Sequence, residues 1–99
     1  MDFELSDDKK TMIAYLKGDI DSTNATSLES ELLDRLDPIY DLTFDMTKLE
    51  YISSAGLRVL LSTQKLMKSK NGKMIIKHAN DEIMDTFKVT GFIKLFTII

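Results

Sequence analysis

Apolar and polar positions repeat along this chain with two different periods, and the switches between them mark out its elements. Phe3 and Leu5 alternate with polar neighbours, Asp7-Asp8-Lys9-Lys10 makes a polar turn, and the apolar run Met12–Leu16 ends before Gly18. Two such runs about a polar turn predict a β-hairpin. Ala25, Leu28, Leu32 and Leu36 then recur at helical spacing behind Asp21-Ser22-Thr23-Asn24, residues of the kind that cap helices, and Pro38 ends the pattern. Leu42, Phe44 and Met46 alternate with Thr43 and Asp45 and predict a strand. A second helical stripe, Leu57, Leu60, Leu61 and Met67, follows Ser53-Ser54 and closes at Asn71-Gly72. Lys65, Lys68 and Lys70 in its last turns complement the helix dipole. Lys73–His78 holds a short apolar strand, Met74-Ile75-Ile76. Asn80-Asp81 caps a third helix with Ile83, Met84 and Phe87 inward, ended by Gly91, and Phe92–Ile99 is a final apolar segment, partly strand.

The predicted order is β-β-α-β-α-β-α-β. Strands that alternate with helices imply βαβ units, so the expectation is a small α/β sandwich: a mixed, mostly parallel sheet opened by an N-terminal hairpin, with three or so helices. A chain of 99 residues is one domain's worth of protein. Scaling gives it roughly 5,700 Å² of folded surface, enough burial for one core without staples.

Composition narrows the chemistry. There is no cysteine and a single histidine, His78. Disulfide frameworks, thiolate metal sites, thiol nucleophiles and two-histidine metal motifs are therefore excluded. No cofactor is expected. The longest apolar run, Met12–Leu16, is far below a membrane span, and Met1-Asp2-Phe3-Glu4 lacks the features of a signal peptide, so the expected compartment is the cytoplasm. Residues 1–50 hold thirteen Asp/Glu against five Lys/Arg, and residues 51–99 hold three against eight, so the halves carry −8 and +5. Either the molecule is electrostatically two-faced, or the fold mixes the halves and dilutes the difference. Arg58, Lys65, Lys68, Lys70, Lys73 and Lys77 have no aromatic interleaved, which argues against a nucleic-acid partner.

The informative stretch runs from Asp45 to Leu61, where a strand ends, a loop follows and Ser53-Ser54 opens a helix. A serine at a helix start accepts a hydrogen bond from an orphan backbone N–H. One cap needs one serine, so the second is unexplained. Gly56 lies in the first helical turn, where glycine costs about 1 kcal/mol relative to alanine. It implies either a close backbone approach or tight packing of helix on sheet. Asp19 and Asp21 fit loop-turn and capping chemistry as readily as a functional role. His78, beside Lys77 at a strand end, reads as solvated or capping, the alternative being a phosphocarrier histidine.

These residues resemble the signature of STAS domains, specifically of bacterial anti-sigma factor antagonists. That signature is a strand ending in Asp, a loop, then Asp-Ser-Ser/Thr-Gly-Leu opening a helix; here it stands as Asp45 and then Ser53-Ser54-Ala55-Gly56-Leu57. Gly18-Asp19-Ile20-Asp21 with Ala25 and Leu28, and Phe87…Thr90-Gly91-Phe92-Ile93, are similar to two further family segments in the same order. The resemblance implies a protein-binding module that is not an enzyme. By position, Ser54 would be phosphorylated by a partner that is both serine kinase and anti-sigma factor, and a serine phosphatase would reset the switch. Asp19, Asp21, Ser53, Ser54, Ala55, Gly56 and Arg58 would form the partner-binding surface. Ser53 replaces the family's Asp, Ala55 replaces its second Ser/Thr, and Asn24 stands where Thr is common. The alternative is a STAS scaffold or ligand-sensing module that phosphorylation does not regulate.

Overall fold

The computed structural model describes residues 1–99. Strand β1 (Asp2–Leu5) and β2 (Thr11–Ile20) form the hairpin; α1 (Ala25–Leu36), β3 (Asp41–Ile52), α2 (Ser54–Ser69), β4 (Lys73–Lys77), α3 (Asp81–Thr90) and β5 (Thr97–Ile98) follow, with a single 3-10 turn at Phe92–Lys94. The five strands lie in the order β1-β2-β3-β4-β5. The first pair is antiparallel and the rest are parallel. Each crossover moves one strand over in the same direction, so right-handed connections place all three helices on one face. Burial follows that geometry. Met12, Ala14 and Leu16 in β2, Leu42, Phe44 and Met46 in β3, and Met74 and Ile76 in β4 are buried beneath Leu28, Leu32 and Leu36 of α1, Leu57, Leu60 and Met67 of α2, and Ile83 and Phe87 of α3. The opposite face carries Tyr15, Lys17, Asp41 and Lys73 in solvent. Because strand order repeats chain order, the acidic first half and the basic second half stay on opposite sides of the sheet rather than mixing.

Two strands are longer than their apolar runs. β2 continues through Gly18 to Ile20, with register shifts on either side of that residue. β3 does not end near Asp45. Only its ladder with β4 stops there, at Asp45↔Lys77, because the next residue of that neighbour, His78, turns away at φ 64. The ladder with β2 runs on to Ile20↔Ile52, so the expected loop is extended, paired backbone. The C-terminal segment is pinned by Gln64 of α2, whose side-chain amide donates to the Leu95 carbonyl. α3 ends on Gly91 at φ 80, a left-handed position that any β-carbon would strain.

Candidate functional site: a serine pair at the head of a helix

The C-terminal ends of β2 and β3 meet the N-terminus of α2. The Ser53 N–H donates to the Ile20 carbonyl at 2.8 Å, which ties the start of the helix to the end of the neighbouring strand. Ser53 is extended (φ −88, ψ 176) and is the N-cap: its hydroxyl accepts from the Gly56 N–H at 3.4 Å. Ser54 is the first helical residue, exposed, and its hydroxyl engages no other group of the protein. The pair thus divides its labour, with one hydroxyl spent on the cap and the other free. Gly56 is buried, and a β-carbon there would come within 2.6 Å of Ile52 Cγ1 and 2.8 Å of Ile20 Cγ2. The close approach is to side chains rather than to backbone, so Gly56 lets α2 seat directly on the strand ends that carry the serines. Ala55 is half-buried beside it. Arg58 is exposed, four residues after Ser54 on the same helix face.

Asp19 and Asp21 stand on the adjoining loop between β2 and α1. The Asp21 carboxylate accepts from the Thr23 hydroxyl at 2.5 Å and the Thr23 N–H at 2.9 Å. Those two hydrogen bonds hold its carboxyl below the usual carboxylate range. Asn24 occupies the N-cap of α1 but caps nothing with its side chain. It turns back instead, accepting from the Asp21 N–H at 2.9 Å and donating to the Asp19 carbonyl at 2.7 Å, and so clamps the loop that presents both acids. A cleft of about 180 Å³ lined by Leu16, Asp19, Ile20, Asn24 and Leu28 lies beside this loop. Ser54 lies outside it.

Two residues beyond those the sequence singles out for the site contribute to it. Asn80 caps α3, accepting from the Ile83 N–H at 2.8 Å, while its amide donates to the Leu49 carbonyl at 3.1 Å. It thereby supports the part of β3 that has outrun β4. Tyr51 stands 51% exposed, three residues before Ser54. An exposed aromatic at the rim of a site is the kind of residue that anchors protein partners. Asp45 is not brought to the serines. Seven residue steps along extended β3, roughly 23 Å, separate it from Ile52. Burial opposes its ionisation, but hydrogen bonds from Thr47 and the charges of His78 and Lys77 outweigh that and hold its carboxyl below the usual range. His78 is exposed in that neighbourhood, away from the serine pair.

The arrangement suits a surface that is docked upon and modified. No group of three or more His, Asp or Glu side chains is placed to hold a metal ion. No helix is long and apolar enough to cross a membrane. A family model described as the STAS domain matches residues 2–99. The chain belongs to the STAS domain family.

This STAS domain is 34% identical over 88 residues to BtrV of Bordetella bronchiseptica, a protein named as a candidate anti-sigma factor antagonist; the match covers 88% of this chain and 76% of that one. Its fold is similar to a crystal structure from Thermotoga maritima named in the same way, with TM-score 0.88 at 17% identity over 98% of this chain and 83% of that one. It is also similar to the phosphorylated form of the Bacillus cell-fate determinant SpoIIAA, with TM-score 0.74 at 14% identity over 99% of this chain and 91% of that one. In this STAS domain the free hydroxyl and the capping hydroxyl are adjacent, and no acidic side chain occupies the first turn of α2.

Proposed function

We propose that this STAS domain is a phosphorylation-switched anti-sigma factor antagonist. In its unmodified form it binds an anti-sigma factor that is also a serine kinase, and so frees a sigma factor for transcription. Phosphorylation of Ser54 releases that partner, and a serine phosphatase restores the binding form. The domain is a substrate and a binding module rather than a catalyst, works in the cytoplasm, and takes no cofactor, nucleic acid or membrane as partner. The docking surface comprises Asp19, Asp21, Ser53, Ser54, Ala55, Gly56 and Arg58. Within it, buried Gly56 acts by seating α2 rather than by direct contact.

The observation that carries this reading is the division between the serines: Ser53 caps α2, leaving the exposed Ser54 hydroxyl without a structural task. The physics of the position supports a switch. A phosphate on the first residue of a helix meets unpaired N–H groups and the positive end of the dipole, so the folded domain accommodates it. The same group adds about −1.5 to −2 charges to a surface that must dock. A coupling of about 1–3 kcal/mol, typical between linked sites, changes affinity roughly 5- to 150-fold. The reading is tested by incubating the domain with its cognate kinase and ATP and mapping the modified residue by mass spectrometry. Acid-stable phosphate on Ser54, persisting in Ser53→Ala and absent from Ser54→Ala, is expected. Modification of Ser53 or His78 instead, or none at all, would overturn it.

A further inference from the structure

We propose that Arg58 is the built-in counterion of phosphorylated Ser54, its guanidinium folding back along α2 to hold the phosphate. The inference rests on the reading of Ser54 as the phosphoacceptor and concerns what receives the phosphate within the domain itself.

Ser54 and Arg58 are four residues apart on one helix, and both are exposed. Side chains on a helix lean toward its N-terminus, so Arg58 projects over the turn that begins at Ser54. An anion placed four residues N-terminal to a cation is the favourable orientation of such a pair. Arg58 is also uncommitted. The other arginine, Arg35, donates to the Glu31 carbonyl at 3.1 Å and lies 4.2 Å from the centroid of the Phe3 ring. Lys70 donates to the Leu36 and Asp37 carbonyls at 2.6 and 2.7 Å. Arg58 has no such partner, and its helical neighbours at three- and four-residue spacing are Ser54, Ala55, Leu61 and Ser62, none of them acidic.

The replacement of the signature's Asp by Ser53 gives this arrangement its consequence. A carboxylate at position 53 would sit beside the phosphate, repel it and compete for the same cation. Here the first turn carries no acid, so no carboxylate of that turn competes with the phosphate for Arg58. Arginine suits the task better than lysine, because its planar fork offers two parallel N–H donors to two phosphate oxygens. Two unit charges about 5 Å apart in a water-like medium shift an ionisation by roughly half a pH unit. The second ionisation of an ordinary phosphoserine falls near pH 6, so a shift of that size is readily measured.

The test installs phosphoserine at position 54 by genetic-code expansion, so no kinase is needed, and follows its phosphorus-31 chemical shift against pH. At low salt, the phosphate of the otherwise unaltered chain should titrate roughly 0.5 pH unit below that of Arg58→Gln, with Arg58→Lys in between. The difference should collapse in 1 M salt, where the Debye length is about 3 Å. The helix terminus acts equally in all three chains, so the difference isolates Arg58. Coincident low-salt titrations of the unaltered chain and Arg58→Gln would overturn the inference, and so would a difference that 1 M salt leaves intact. Such a failure leaves the phosphoacceptor reading standing. Conversely, a cognate kinase that ignores Ser54 removes that reading without altering the titration.

Discussion

Replacing Gly56 by alanine sets two effects of known sign against each other at the joint that presents the serines. Alanine is favoured over glycine inside a helix by about 1 kcal/mol. The added β-carbon, however, would lie 2.6 Å from Ile52 Cγ1 and 2.8 Å from Ile20 Cγ2. Both isoleucines are buried at strand ends that the Ser53–Ile20 hydrogen bond ties together, so neither can swing into solvent. Overpacking of this kind costs about 1–3 kcal/mol. The clash offsets the propensity gain or exceeds it, with a net loss of up to about 2 kcal/mol. For a domain of this size that corresponds to a melting temperature lower by up to roughly 16 °C. Thermal and urea denaturation of Gly56→Ala measure the loss. Ile20→Ala removes the opposing Cγ2 methyl group, so Gly56→Ala should cost less in that background than alone, a coupling read from a double-mutant cycle. A melting temperature raised by Gly56→Ala, or strict additivity with Ile20→Ala, would refute the close seating of α2.

Asn80→Ala removes both the α3 cap and the donor to the Leu49 carbonyl, at a cost of about 1–3 kcal/mol by urea denaturation; Asn80→Asp, which keeps the cap acceptor alone, should recover part of it. Lys70→Met strips the α1 C-terminus of two charge-assisted hydrogen bonds from one ammonium and the Tyr40 ring of a cation 4.9 Å from its centroid, which should cost about 1–2 kcal/mol. Asp21 is more acidic folded than unfolded, so its contribution to stability is complete above the unfolded value of about 3.9 and is lost as pH falls through the folded one. Urea midpoints should therefore fall below about pH 4, less steeply in Asp21→Asn, and a midpoint that rises on acidification would contradict this.

The helices and the succession of elements along the chain were legible because their signals are local. The stripe Ala25, Leu28, Leu32 and Leu36 is written at helical spacing, and all four residues face the core. The second half of β3 was not legible. Thr47, Lys48, Glu50 and Tyr51 break the alternation of buried positions, and the segment is strand only because β2 pairs with it through two register shifts. No local pattern in Thr47–Tyr51 encodes that partner. Asn80 reads as a cap, but its second task depends on a carbonyl 31 residues away. Asn24 reads as a cap and is instead a loop clamp, because its side chain finds partners at Asp19 and Asp21. The two serines were visible as a pair. Which of them caps and which stays free depends on the extended backbone of Ser53, a property of the folded joint.

Under the proposed function, charge on Ser54 governs docking. This dependence is tested most directly by isothermal titration calorimetry of the domain into its anti-sigma partner, unmodified and phosphorylated on Ser54. Binding should weaken roughly 5- to 150-fold on phosphorylation, while Ser54→Ala treated with kinase and ATP should keep the affinity of the unmodified domain. Equal affinities for the unmodified and phosphorylated forms would contradict the account.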